Sequence, residues 1–218
     1  MKKSIWIISF ILLANICNCQ EIILRTSTGI NLSKQTGDDS FKKTNSFLMA
    51  PFLSFEVDKP LNNYFSINLG LEYSVKGTNY DEITPLGNID SYIHYFGYRK
   101  FHYLIVPIGV NCNVKNLFLT YKLYTGKKMV GYAQSLAETF ENGESVSQTI
   151  SSGKIFKSAY DNPLFGHEIG IGYKINNDVI KISYIKDLIT IDNLNSTFMY
   201  HSCIRLSYCL TLNKPNSN

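Results

Sequence analysis

Apolar and polar residues alternate with a period of two along much of this chain, and that alternation constrains the fold more than any other feature. The apolar members of the clearest segment are Phe65, Ile67, Leu69, Leu71, Tyr73 and Val75. Its interleaved members are Ser66, Asn68, Gly70, Glu72, Ser74 and Lys76. Successive side chains of a β-strand point to opposite faces, so this pattern predicts a strand with one apolar and one polar face.

Similar segments recur along the chain and predict an all-β fold. We place eight strands near residues 21–33, 46–57, 65–76, 101–113, 117–126, 164–175, 179–187 and 200–212. A strand that crosses a bilayer at a tilt of about 45° needs about 9–11 residues, a length that these segments match or approach. The pattern therefore predicts an eight-stranded antiparallel up-and-down transmembrane β-barrel.

The predicted connections alternate between short and long. The short ones, rich in Asn, Asp and Lys, are 58–63, 114–116 and 176–178. The long ones are about 34–45, 77–100, 127–163 and 188–199. Outer-membrane barrels have short periplasmic turns and long outer loops. We therefore expect an outer-membrane protein of a Gram-negative cell with its N-terminus in the periplasm.

Charged residues recur on the polar face of the strands. If the apolar face points outward, a lumen charge network is predicted from Arg25, Glu56, Glu72, Lys76, Lys122, Glu168, Lys174, Lys181, Asp187 and Arg205. Buried charges must pair, so we expect a salt-bridged interior in which Glu72, Glu168 and Arg205 take part in charge pairs. The alternative is a soluble lipocalin-like barrel that binds an apolar ligand, with the Leu71 face pointing inward.

The composition and the N-terminus favour the membrane alternative. Charged residues make up 17% of the chain and aromatic residues 13%. An aromatic girdle at the membrane interface is predicted from Tyr92, Tyr95, Phe96, Tyr98, Phe101 and Tyr103. Residues 1–19 have a basic start and a short apolar run, as in a signal peptide, which leaves a barrel domain at 20–213 and a short tail at 214–218.

Two segments carry a family resemblance. Leu71-Glu72-Tyr73-Ser74-Val75-Lys76-Gly77, followed by Tyr103-Leu104-Ile105-Val106-Pro107-Ile108-Gly109-Val110, resembles the PorT-like outer-membrane β-barrel domain family. The resemblance implies an eight-stranded small barrel of the OmpX and OmpA type. One group of members is tied to protein secretion and gliding, and most members have no assigned activity.

The sequence offers no catalytic constellation. A catalytic His and Ser on one strand face should lie two residues apart, and none of His94, His102, His167 and His201 has Ser at that spacing. We expect no enzyme activity, no cofactor, no metal site and no nucleic-acid partner. Cys112, Cys203 and Cys209 are interpreted as small apolar residues.

The long loops are the remaining candidates for function. We expect a monomer in outer-membrane lipid whose loops, mainly 78–100 and 127–162, bind envelope or secreted proteins, since binding residues lie disproportionately on loops. The alternative is a purely structural barrel.

Overall fold

The computed structural model describes residues 22–37, 44–87, 90–154, 163–188 and 199–213. The predicted signal peptide, residues 1–19, and the tail at 214–218 lie outside these ranges. The described residues form ten strands: β1 (Ile23–Gly37), β2 (Asn45–Ser46), β3 (Leu48–Pro60), β4 (Phe65–Pro85), β5 (Tyr92–Val114), β6 (Leu117–Glu141), β7 (Glu144–Lys154), β8 (Leu164–Ile175), β9 (Asp178–Asp187) and β10 (Met199–Thr211).

Eight of these strands close into a ring. The order is β1, β3, β4, β5, β6, β8, β9 and β10, and β10 pairs back with β1. Every pairing is antiparallel. The predicted fold class is confirmed, because neighbours in the ring are also neighbours in the chain apart from the short β2 and β7.

One end of the ring, which we call the turn end, carries the short connections. Lys115-Asn116 joins β5 to β6, and Asn176-Asn177 joins β8 to β9. Lys115 and Asn176 have φ values of 54° and 58°, the left-handed conformation that tight turns require. The Asn213 side chain bonds the Ile22 carbonyl at 2.5 Å, so the two ends of the described chain also meet here.

At the opposite end, the extension end, two predicted loops are strands instead. β4 continues to Pro85 and β5 begins at Tyr92, while β6 continues to Glu141 and pairs with β7. We call residues 77–85, 92–100, 130–141 and 144–154 the extension. It begins near a bulge, where Tyr103 pairs with Lys128 but His102 pairs with Val130, leaving Met129 as the extra residue.

The tip of the β6–β7 hairpin has a simple cause in the sequence. Asn142 and Gly143 are its two turn residues, with φ values of 52° and 80°. Two consecutive left-handed residues match the twist of the flanking strands, and Asn-Gly is the dipeptide that adopts this turn most readily. The Asn-Gly pair is thus a hairpin signal within the segment 127–163, for which the sequence pattern predicts a loop.

The barrel is apolar outside and charged inside. Leu71 is 49% exposed on the outer surface, whereas its neighbour Glu72 is 5% exposed and faces the lumen. The lipocalin-like alternative is wrong, because it requires the Leu71 face to point inward. Phe118, Val179 and Cys209 form an apolar cluster in the lumen near the turn end. A larger cluster near the extension end contains Phe101, Tyr103, Ile105, Tyr124, Leu164, Ile185 and Cys203.

Candidate functional site

The charged middle of the lumen is organised around Arg205. Its guanidinium contacts Glu72 through both terminal nitrogens, at 2.5 and 2.8 Å, and reaches Glu168 at 3.5 Å. Its Nε donates to Asn31 Oδ1 at 2.8 Å, and the guanidinium lies 3.9 Å from the centroid of the Phe52 ring. Strands from opposite sides of the ring thereby meet at one fully buried cation.

Two lysines complete this central group. Lys122 Nζ lies 2.5 Å from Glu56 Oε1, and Lys181 Nζ lies 2.9 Å from Glu168 Oε1. This central group contains three buried cations and three buried carboxylates, namely Arg205, Lys122, Lys181, Glu56, Glu72 and Glu168. Such balance is what a low-dielectric interior requires, because an unpaired buried charge is strongly unfavourable.

A second group lies nearer the extension end around Asp187. Its carboxylate accepts hydrogen bonds from Lys76 Nζ at 2.8 Å and from the Tyr124 hydroxyl at 2.5 Å, and His201 Nδ1 lies 3.0 Å from its other oxygen. Lys76 also lies over the Tyr124 ring at 4.8 Å. Lys76, Asp187 and His201 are each at most 1% exposed, so solvent does not screen this group.

A third group lies at the turn end. Arg25 forms an ion pair with Asp58, and the Asn111 amide donates to both oxygens of Asp58 at 3.3 Å. Lys174 is only half-buried at this end and forms no ion pair with any carboxylate in the part of the chain that the structure describes. Of the ten residues predicted to line the lumen, the structure brings nine into ion pairs and leaves Lys174 at the margin.

Sequence reasoning missed several members of these groups. Asp58 was assigned to a turn, although it continues the two-residue phase of Ser54 and Glu56. Lys128, which is 8% exposed and inward, was assigned to a loop because the extension of β6 was not foreseen. The roles of Tyr124 and His201 were also not predicted. Continuing each strand's alternation two residues further would have found Asp58.

The predicted aromatic girdle needs correction. Phe101 and Tyr103 are 0% and 3% exposed and belong to the lumen cluster, because β5 carries aromatic residues on both faces and the inward phase falls on the odd positions. Tyr92 lies roughly 36 Å along the strand from Tyr103, at about 3.3 Å per residue. Tyr92, Tyr95, Phe96 and Tyr98 are half-buried in the extension, so the six residues do not form one girdle.

The lumen is filled, which bears on transport and on catalysis. The space left between Glu72, Tyr124, Glu168 and Arg205 is about 10 Å³, room for one water molecule at most. His201 and Asp187 resemble part of a catalytic triad, but His201 Nε2 has no hydrogen-bond partner among the described residues. Within those same ranges, no group of His, Cys, Asp and Glu side chains is placed to hold a metal ion.

Several solved structures are similar to this chain at low identity. The attachment invasion locus protein Ail of Yersinia pestis is 14% identical, with 87% of this chain and 99% of that chain covered and a TM-score of 0.41. Neisserial surface protein A is 10% identical, with 87% and 97% covered and a TM-score of 0.41. The N-terminal β-barrel domain of Pseudomonas aeruginosa OprF is 11% identical, with 84% and 97% covered and a TM-score of 0.29.

No protein-family model matches the chain, so the PorT-like resemblance stays a prediction. No curated protein matches it either.

The residues on the outer surface of the ring indicate whether this fold is stable in water or in lipid. Outward residues of the ring strands are bulky and apolar yet exposed, among them Leu69, Ile108, Ile169, Ile182 and Leu206 at 46–57% exposure. In water such a continuous apolar belt would drive aggregation, whereas in a bilayer it is matched by lipid chains. No helix among the described residues is long and apolar enough to cross a membrane. A closed ring with charges inside and an apolar belt outside pairs the backbones of its strands with one another, as lipid requires, and the chain is therefore an outer-membrane β-barrel.

Proposed function

We propose that this chain is a non-enzymatic outer-membrane protein whose extension faces the outside of the cell and binds envelope or secreted proteins. The long connections of outer-membrane barrels lie on the outer side, which supports this orientation and an N-terminus in the periplasm. The proposal retains a mature domain at 20–213 and a monomeric barrel. With a filled lumen, the surface that is left for a function is the extension.

The observation that carries the proposal is one face of the extension, which we call the aromatic face. Its members lie on the same face of β4, β5, β6 and β7 and are Ile83, Tyr92, His94, Phe96, Tyr132, Leu136, Phe140 and Ile150. The Tyr92 and Phe140 rings stack at 4.7 Å, and Ile83 and Ile150 are 62% and 68% exposed. Aromatic and large apolar side chains on a rigid sheet are the residues that dominate protein interfaces.

Polar contacts on the same face support contact with water and protein rather than with lipid chains. His94 Nε2 lies 2.6 Å from Asp81 Oδ1, and Gln148 donates to Glu138 at 2.7 Å. Charged groups among apolar rings are typical of an interface core with a polar rim. On the opposite face, β6 and β7 carry small residues, among them Ala137, Thr139, Ser147 and Thr149, whereas β4 and β5 carry Tyr80, Tyr95 and Arg99.

The experiment compares two neighbouring rows of residues on opposite faces. Phe96, Leu136 and Ile150 pair in one row on the aromatic face, and Tyr95, Ala137 and Thr149 pair in the next row on the other face. Photo-crosslinking in intact cells should capture a protein partner with wild type. Replacing the first row by Phe96→Ser, Leu136→Ser and Ile150→Ser should abolish that product, while the matched triple serine variant of the second row should keep it.

Deletion of residues 132–154 provides the second arm. Removing this hairpin leaves all eight ring strands in place, so the heat-modifiable gel shift of a folded barrel should persist while crosslinking is lost. A deleted or aromatic-face variant that keeps every partner would contradict the proposal and leave a purely structural barrel.

A further inference from the structure

A row of polar side chains crosses four strands on the outward surface, between the apolar belt and an upper row that contains Phe165, Leu188 and Tyr200. Lys34 on β1 pairs with Ser202 on β10, Ser202 pairs with Lys186 on β9, and Lys186 pairs with His167 on β8. All four side chains point outward, since their strand neighbours Ser33, His201, Asp187 and Glu168 are buried in the lumen. We call these four residues the lysine row.

The row immediately below is apolar. Leu32, Ile204, Tyr184 and Ile169 pair in the same order on the same four strands, two residues closer to the turn end. Ile204, Tyr184 and Ile169 are 41%, 43% and 57% exposed. A polar, cationic row therefore lies directly above an apolar row, which matches a molecule with a charged headgroup and hydrocarbon chains.

The two lysines are available to an external anion. Lys34 Nζ lies 5.1 Å from the centroid of the Phe47 ring, and neither Lys34 nor Lys186 forms an ion pair with a carboxylate of the described ranges. The nearest buried acid along the chain, Asp187, faces the lumen and is held by Lys76, Tyr124 and His201. Lys34 and Lys186 are two strands apart, about 10 Å at about 4.8 Å per strand, with the Ser202 hydroxyl between them.

The same strands carry no such row at the turn end. No lysine or arginine lies at their outward positions there, which are occupied by Leu24, Thr26, Tyr173, Ile175, Asp178, Ile180, Leu210 and Leu212. A nonspecific need for interfacial cations would place lysines at both membrane surfaces of these strands. The asymmetry points to a ligand that is present at the extension end alone.

We propose that the lysine row binds the phosphorylated headgroup of a glycolipid in the outer leaflet, with the acyl chains along Leu32, Ile204, Tyr184 and Ile169. Lys34 and Lys186 supply the charge, and Ser202 and His167 supply hydrogen bonds to phosphate oxygens. This inference rests on the orientation proposed above, in which the extension end is outside. It does not depend on a protein partner.

The test is a lipid titration of the full barrel in zwitterionic detergent, read by native mass spectrometry. The probes are diphosphorylated lipid A, the same lipid A with both phosphates removed, and inorganic phosphate alone. The test variant is Lys34→Gln with Lys186→Gln. The control is Lys100→Gln with Lys127→Gln, which removes the same charge from outward positions of β5 and β6 at the extension end.

Wild type should bind the diphosphorylated lipid and discriminate against the phosphate-free lipid. The test variant should bind it about twenty-five-fold more weakly, about five-fold for each lysine, while the control changes affinity less than three-fold. Equal losses in both variants, no loss in the test variant, equal binding of the phosphate-free lipid, or displacement by inorganic phosphate at equal concentration would overturn the proposal. Because this titration contains no protein partner, its failure leaves the proposed function of the extension to be judged by crosslinking.

Discussion

Arg205 and Glu72 form a two-point ion pair across the middle of the lumen, with Nη1 2.8 Å from Oε2 and Nη2 2.5 Å from Oε1. Both residues are at most 5% exposed. The parallel geometry of the two contacts matches the fork of a guanidinium to a carboxylate. The pair joins β4 to β10 across the ring, and its loss would leave a carboxylate in a low-dielectric interior.

Replacing Arg205 with Leu should destabilise the barrel by about 3–5 kcal/mol, because Glu72 then loses its only ion-pair partner among the described residues. Urea unfolding of the protein in lipid vesicles measures this change. The double variant Arg205→Leu with Glu72→Leu removes both charges and should recover most of the loss. An Arg205→Leu protein with an unchanged unfolding midpoint would show that the pair does not stabilise the fold.

Two substitutions in the Asp187 group should lower the free energy of unfolding by different amounts. Tyr124→Phe removes the hydrogen bond donated to Asp187 and the longer one accepted from Lys76, and should cost about 1–2 kcal/mol, since Asp187 keeps Lys76 and His201. Asp187→Leu leaves Lys76 buried without its counter-charge and should cost about 3–5 kcal/mol. The same vesicle unfolding assay ranks the two variants. If the two variants lose the same free energy of unfolding, then Asp187 is not the counter-charge on which the buried Lys76 depends.

Gly166 should resist substitution even by alanine. A Cβ built there would lie 2.2 Å from the Tyr124 hydroxyl oxygen and 2.4 Å from its Cζ, both on a rigid ring. Gly166→Ala must displace Tyr124 from Asp187, with a loss of about 1–3 kcal/mol from overpacking. The double variant Gly166→Ala with Tyr124→Leu removes the ring but keeps the Lys186 carbonyl oxygen 2.5 Å from the new Cβ, so it should recover only the part of the loss that the ring causes. If the Gly166→Ala variant is as stable as the wild-type protein, Tyr124 does not occupy the position described.

The resistance of the β6–β7 hairpin to protease should depend on glycine at position 143 but not at position 153. Gly143→Val places a β-branched residue at a φ of 80°, where the side chain is strained. We expect proteinase K to cut the extension of this variant faster in folded barrels, with the ring left intact. Gly153→Val, in β7 where a Cβ meets nothing within 4 Å, is the matched control and should be cut at the wild-type rate.

Much of the ring could be predicted because a period of two is a strong constraint. On β4 and β10 bulky apolar residues alternate with Glu72 or Arg205, so the sequence separates the two faces of each strand, and the signal peptide and loop pattern favour the apolar face as the outward one. On β5 the run Phe101-His102-Tyr103-Leu104 places large residues on both faces, and the sequence pattern there does not distinguish inside from outside.

The partners within the lumen could not be read from the sequence. Which carboxylate faces Arg205 depends on the stagger between strands around the closed ring, and alternation along one strand contains no information about that stagger. Asp58 and Lys128 were missed for a simpler reason, since the strands continue beyond the bounds predicted for them.

The central claim is that the apolar face of this barrel contacts lipid, and a single tryptophan tests it most directly. Trp6 is the only tryptophan of the chain, so protein starting at Gln20 has none. Leu206→Trp lies on the outward face at a position 51% exposed, and Ile150→Trp lies in the extension. In vesicles with brominated acyl chains, the fluorescence at 206 should be strongly quenched and that at 150 should be quenched only by aqueous acrylamide. Fluorescence at 206 that acrylamide quenches and brominated lipid does not would contradict the account.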